Sequence, residues 1–167
     1  MKHSSAAGVG TAIFFIAAPC VVAGLVPWLL TRWEFGPPWP ASGLLAVIGV
    51  VITIAGAAVL VNAFVRFARE GRGTPAPVAP TEELVITGPY RWVRNPMYLA
   101  VVAVIIGQAL LLRQASLLIY GAVVAAAFVA FVKLYEERVL AERYGDAYRS
   151  YQATVSGWIP RPPRRPE

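Results

Sequence analysis

The sequence predicts an all-α, polytopic membrane protein with four transmembrane helices, a cytoplasmic loop and a C-terminal interfacial helix. Three observations carry that expectation. The 167-residue chain is 57% hydrophobic and only 14% charged, whereas soluble domains average about 45–50% and about 25%; its mean hydropathy is +0.59. Uncharged apolar runs recur along it, and its basic residues gather in alternate connections between those runs. The whole chain, residues 1–167, reads as a single membrane domain.

The first run spans residues 11–30, about 30 Å as a helix. Ala17-Ala18-Pro19-Cys20 faintly resembles a lipoprotein cleavage site, but Pro19 directly before the cysteine and the apolar continuation to Leu30 predict an uncleaved span. Pro19 and Pro27 should bend it, with neighbouring helices satisfying the freed carbonyls. Residues 44–65 and 115–132 give about 33 and 27 Å, against a hydrocarbon core of about 30 Å. The run over residues 98–112, about 22 Å, is short; it either continues past Arg113 or crosses a thinned bilayer.

Of the 15 lysines and arginines, only Arg32 and Arg113 fall in the first and third connections. The others are Lys2, then Arg66, Arg69, Arg72, Arg91 and Arg94, then Lys133 and the tail. That alternation predicts both termini in the cytoplasm of a protein of the cell (inner) membrane. Net charge is +6, but it is set at the ends of apolar runs rather than on a soluble surface, which excludes nucleic acid as the partner. The bilayer is the partner expected. One cysteine, Cys20, and one histidine, His3, leave no metal-ligating cluster.

Within the spans, Gly49, Thr53 and Gly56, and again Gly121 and Ala125, place small residues where helices can approach closely. Gln108 needs an interhelical hydrogen-bond partner, and Asn62 lies one turn before Arg66. Whether glycine faces pack within one chain or between two is not legible, so the oligomeric state is left open.

The connection over residues 68–97 reads AREGRGTPAPVAPTEELVITGPYRWVRNPM. Connections this long are usually functional or disordered. Gly71 to Pro80 should form an extended, polyproline-like strap. Leu84 to Tyr98 instead interleaves apolar and aromatic residues with Arg91 and Arg94. In the tail, Glu136 and Glu137 continue the fourth helix, and Leu140, Tyr144, Tyr148 and Tyr151 form one stripe on a helix expected along the interface, there for membrane anchoring or for packing.

TEELVITGPYRWVRNPMY (residues 81–98) together with EERVLAERYGDAYRSYQATVSGWIP (residues 136–160) resembles the isoprenylcysteine carboxyl methyltransferase and phospholipid methyltransferase superfamily of integral membrane enzymes. The match is carried by Leu-Val, Gly-x-Tyr and Arg-Asn-Pro-x-Tyr in the first segment, and by Glu-Glu, Gly-x-x-Tyr-x-x-Tyr and Ile-Pro in the second. The resemblance implies an S-adenosylmethionine-dependent methyltransferase acting on a lipophilic acceptor at the cytoplasmic face. Its cofactor-binding elements would be residues 81–98 and 133–160. Carried over by position, the cofactor contacts are Glu82, Glu83, Leu84, Val85, Tyr90, Asn95, Pro96, Met97, Tyr98 and Glu136. Arg94, Glu136 and Glu137 form the implied catalytic set.

Those residue types suit such a ligand. Leu84, Val85 and Pro96 can wall an adenine, and tyrosine faces and carboxylates stabilise a sulfonium without attacking it. Arg94 would pair with the cofactor carboxylate or with Glu137. The acceptor would enter sideways near Asn62 and Arg66, assigned to substrate. Gly71-Arg72-Gly73 lacks the third glycine of a dinucleotide-binding turn and follows a membrane span, so no doubly wound methyltransferase fold is present. The position of the superfamily's substrate-carboxylate arginine is Val132, with Lys133 about 100° away round a helix. An amine lipid, a hydroxyl or a thiol therefore stays open beside a prenylcysteine carboxylate. The competing readings are a small four-helix transporter and a non-catalytic membrane assembly factor.

Overall fold

A computed structural model of the protein describes residues 17–70 and 84–162, which are mostly helical and contain no strand. Lys2, His3, the start of the first predicted span, the Gly71–Pro80 strap, Glu82 and Glu83 lie outside the described residues. Helix α1 covers Ala17–Thr31, α2 Ser42–Glu70, α3 Pro96–Leu112, α4 Ala115–Tyr144 and α5 Asp146–Thr154. Two of them, α2 over Ser42–Arg66 and α4, are long and apolar enough to cross a membrane; α1 and α3 are shorter apolar helices.

Proline shapes α1 as the sequence predicts. Pro27 has no N–H to offer the carbonyl one turn back, and the helix widens into a π turn over Val21–Leu25, where the Val26 N–H reaches the Val21 carbonyl. The carbonyls left over are taken by other helices. Gln108 Nε2 on α3 donates to the Ala23 carbonyl at 2.7 Å, and the Tyr120 hydroxyl on α4 donates to the Val22 carbonyl at 2.9 Å. The expected interhelical partner of Gln108 is thus a backbone group freed by proline. Gln108→Leu should lower stability by about 1 kcal/mol in a detergent unfolding titration, because the Ala23 carbonyl then has no donor. Wild-type unfolding would show that the bond contributes nothing net.

Antiparallel α2 and α3 form the most extensive helix pair. Small residues make the approach close: a β-carbon at Gly49 would meet the Gly107 carbonyl oxygen at 2.6 Å, and one at Gly56 the Ala100 carbonyl oxygen at 3.0 Å. Helix α4 folds back on α3 after Arg113 and Gln114, with Gly121 against Ile105 and Ile106. Val101, Ile105 and Val124 centre the core, and Val22, Leu60, Tyr120 and Phe128 pack around them. Outward, Leu44, Val47, Val51 and Ile54 of α2 are each about 60% exposed, an apolar face of the kind lipid covers.

One boundary closes a choice the sequence left open, and another differs from expectation. Helix α3 begins at Pro96 and stops at Leu112, where Arg113 takes a left-handed conformation (φ 57°); the short third run is therefore not completed beyond Arg113. Helix α4 continues past its apolar stretch through Glu136 and Glu137, as the sequence predicts. It passes through a π turn over Val132–Glu136 and runs on to Tyr144, breaking only at Gly145, whose φ of 53° suits a residue without a β-carbon. The tail is accordingly the end of α4 followed by the short helix α5, rather than one continuous helix.

Candidate functional site

The connection and the tail meet at one end of the helix pack, and the meeting is built from the backbone upward. The Arg94 N–H donates to the Ser156 carbonyl at 2.9 Å and the Arg161 N–H to the Trp92 carbonyl at 2.9 Å. Asn95 Nδ2 donates to the Gly157 carbonyl at 2.9 Å. Residues 156–161 thus lie along residues 92–95, immediately before α3. Asn95 is buried, as is Pro96, which starts the helix at a position where its missing N–H is no loss.

Side chains extend the seam. The Tyr98 hydroxyl, in the first turn of α3, donates to Glu136 Oε2 at 2.8 Å. Its ring lies 4.7 Å from that of Phe128 and 6.4 Å from that of Trp158. Arg94 Nη1 pairs with Glu137 Oε1 at 3.0 Å and donates to the Tyr148 hydroxyl at 3.4 Å. Of the two partners open to Arg94 in the sequence, Glu137 is the one it contacts, while its Nε is buried without a hydrogen-bond partner among the described residues. The two adjacent carboxylates therefore divide: Glu137 faces a cation, and Glu136 faces a tyrosine.

The last two tyrosines of the stripe face inward, so of anchoring and packing they serve packing. Tyr148 and Tyr151 are buried, and the Tyr151 hydroxyl donates to the Tyr90 carbonyl at 2.7 Å. Burial, then Tyr151 and the Glu136 carboxylate, push the Tyr90 hydroxyl well above its ordinary value. Burial does the same to Tyr148, against the opposing pull of Arg94. Both hydroxyls stay protonated at neutral pH.

On the α2 side, Arg66 Nε donates to Asn62 Oδ1 at 3.2 Å and Arg66 Nη1 to the Thr87 hydroxyl at 3.2 Å. Gly88, at φ 56°, lies directly beneath this guanidinium, where any β-carbon would collide with it. Asn62 and Arg66 thereby clasp the connection to α2. Val85 and Tyr90 are packed with Ala63 and Met97, and Pro96 is fully enclosed. Leu84, Met97, Tyr98 and Glu136 retain partial exposure. Val132 is buried at 1% exposure, and Lys133 beside it is exposed.

Sequence reasoning brought together Arg94, Asn95, Tyr98, Glu136 and Glu137, and the structure places them in one cluster. It missed Phe128 and Trp158. Phe128 has no signal inside an apolar run, whereas Trp158 stood within the closing Gly-Trp-Ile-Pro string and could have been singled out. The cluster presents aromatic faces and one carboxylate free of an ion pair among the described residues, an arrangement suited to a cationic or hydroxyl-bearing ligand. Compared with known proteins, the chain is matched over residues 44–147 by a family model described as phospholipid methyltransferase. No curated protein matches.

Proposed function

The chain belongs to the phospholipid methyltransferase family, a family of membrane methyltransferases, and on that premise we propose that it transfers the methyl group of S-adenosylmethionine to a lipophilic acceptor at the cytoplasmic face of the bilayer. The observation that carries the reading is the 2.8 Å hydrogen bond between Tyr98 and Glu136. It joins the two segments that any one nucleoside would have to touch. Family membership supports this reading over the transporter and assembly-factor readings.

S-adenosylmethionine, when bound, supplies a methyl group on a sulfonium leaving group that needs no protonation. The residues that would hold it are Leu84, Asn95, Met97, Tyr98 and Glu136, beside the faces of Phe128 and Trp158. Val85, Tyr90 and Pro96 support that site from beneath by packing. Tyr98 holds its proton on the hydroxyl oxygen and orients the Glu136 carboxylate. Arg94 and Glu137 position: their ion pair ties the connection to α4 and so fixes the distance between Tyr98 and Glu136. Enclosure by the tail excludes water, and alignment supplies the remaining rate advantage, since an in-line displacement at carbon needs positioning more than acid–base help.

The four apolar helices cross the membrane in this reading. Helix α3, about 25 Å long, lies against α2 from Gly49–Gly107 to Gly56–Ala100, which gives it a full-length partner. Both termini then share the side that carries the site. The acceptor approaches from the lipid beside Asn62. A titration of the lipid-reconstituted protein with S-adenosylhomocysteine tests the proposal: micromolar binding is expected, together with transfer of labelled methyl into the lipid fraction. A folded, reconstituted sample that binds neither nucleoside would overturn it.

A further inference from the structure

Arg113 stands at the other end of the molecule from the Tyr98–Glu136 site. It follows the last residue of α3, while Tyr98 lies in the first turn, so the two are about 22 Å apart along one helix axis. Its backbone is left-handed, φ 57°, a conformation that L side chains rarely adopt and glycine accepts freely. An arginine is nevertheless placed there. Its guanidinium lies 5.2 Å from the Phe35 ring centre, and its Nε is buried with no hydrogen-bond partner among the described residues. Beside it is a cavity of about 200 Å³ lined by Phe35, Ser42, Gly43, Ala46, Leu111 and Arg113. A buried guanidinium donor without an acceptor is costly unless an anion completes it.

We propose that this cavity binds the phosphate group of a membrane phospholipid in the leaflet opposite the methyl-transfer site. The lining residues with polar side chains are Arg113 and, at the start of α2, Ser42; a guanidinium and a hydroxyl are a donor set for a phosphate diester. The lipid, rather than a soluble anion, is indicated by what adjoins the cavity. Val47, Val50 and Ile54 continue the Gly43 face of α2, 61%, 40% and 65% exposed, and give acyl chains an apolar track directly below the headgroup. Phe35, 64% exposed, sits at the cavity mouth where interfacial aromatics are found. The site does not depend on the methyl-transfer reading, because none of its residues contributes to the Tyr98–Glu136 cluster.

Thermal unfolding of the purified protein in detergent tests it, with dihexanoylphosphatidylglycerol, dihexanoylglycerol and inorganic phosphate as probes. Saturating phosphatidylglycerol is expected to raise the midpoint of the wild type by about 5 °C and to leave Arg113→Gln unmoved. Dihexanoylglycerol should have no effect on either protein. An equal rise with dihexanoylglycerol, or an undiminished rise in Arg113→Gln, would overturn the proposal. A full rise with inorganic phosphate alone would overturn the lipid assignment in favour of a soluble anion. If Arg113→Gln does not fold, Arg113→Lys keeps the charge but loses the Nε donor and the planar fork; it should need at least about fivefold more lipid for the same rise, and an unchanged requirement would equally refute the site.

Discussion

Glu136→Gln is expected to weaken the binding of S-adenosylmethionine and S-adenosylhomocysteine by about a hundredfold and to lower turnover at least as much, without loss of fold. Glutamine keeps the size and one acceptor oxygen of the carboxylate, so the Tyr98 contact at 2.8 Å survives in shape. What disappears is the negative charge. A hydrogen bond to a charged group in a desolvated site is worth about 1.5–3 kcal/mol, which is about 10- to 150-fold in affinity. Stability should hold or rise, because a half-buried carboxylate with no cation beside it among the described residues is a group held for binding rather than for folding. Tyr98→Phe removes only the group that orients Glu136, and about a tenfold loss is expected. In the double variant the two losses should add to less than their sum, since both act through one contact. Glu136→Gln protein that binds the nucleosides as wild type does would remove Glu136 from the site and leave the Tyr98 contact structural.

How much of this was legible beforehand differs by element. Helices α2, α3 and α4 start within a few residues of their predicted positions because uncharged runs between charged or proline residues leave little choice where backbone must be satisfied internally. The continuation of α4 past its apolar run was legible in Glu136 and Glu137, but its break at Gly145 was not. A helix crossing out of an apolar region keeps its hydrogen bonds, so Glu136 and Glu137 ride on the same rod as Phe128 and are held at a fixed place relative to it. The inward orientation of Tyr148 and Tyr151 was hidden for another reason: stripe periodicity says that one face is apolar but not what covers it, and here the cover is the Tyr90 backbone. The pairing of Tyr98 with Glu136 came from resemblance alone, since residues this far apart carry no local signal of contact.

Gly107→Ala is expected to lower stability by about 3 kcal/mol, far more than alanine at Gly121 or Gly24. The added carbon would collide with the Thr53 hydroxyl and meet the Gly49 carbonyl oxygen at 2.7 Å and the Thr53 backbone nitrogen at 2.8 Å. Two of those are backbone atoms of α2, and Thr53 is itself held by its hydroxyl bond to the Gly49 carbonyl at 2.8 Å. No rotamer change relieves them, so the helices must separate, and overpacking of this kind typically costs about 1–3 kcal/mol or more. A graded comparison isolates the cause. At Gly121 the nearest atoms are the flexible ends of Ile105 and Ile106, at 3.0 Å and beyond, so alanine there should cost under about 1 kcal/mol. At Gly24 nothing lies within 4 Å, and alanine should be neutral or stabilising by about 0.5–1 kcal/mol through helix propensity. Separation of α2 from α3 also displaces Tyr98, which α3 carries, while Arg66 on α2 still holds Thr87. Nucleoside affinity should therefore fall together with stability in Gly107→Ala and in neither of the other two. Unfolding of the three variants in mixed micelles, read beside S-adenosylhomocysteine titration, decides the matter: equal stability across the series would mean that the close approach of α2 and α3 is not what holds the site together.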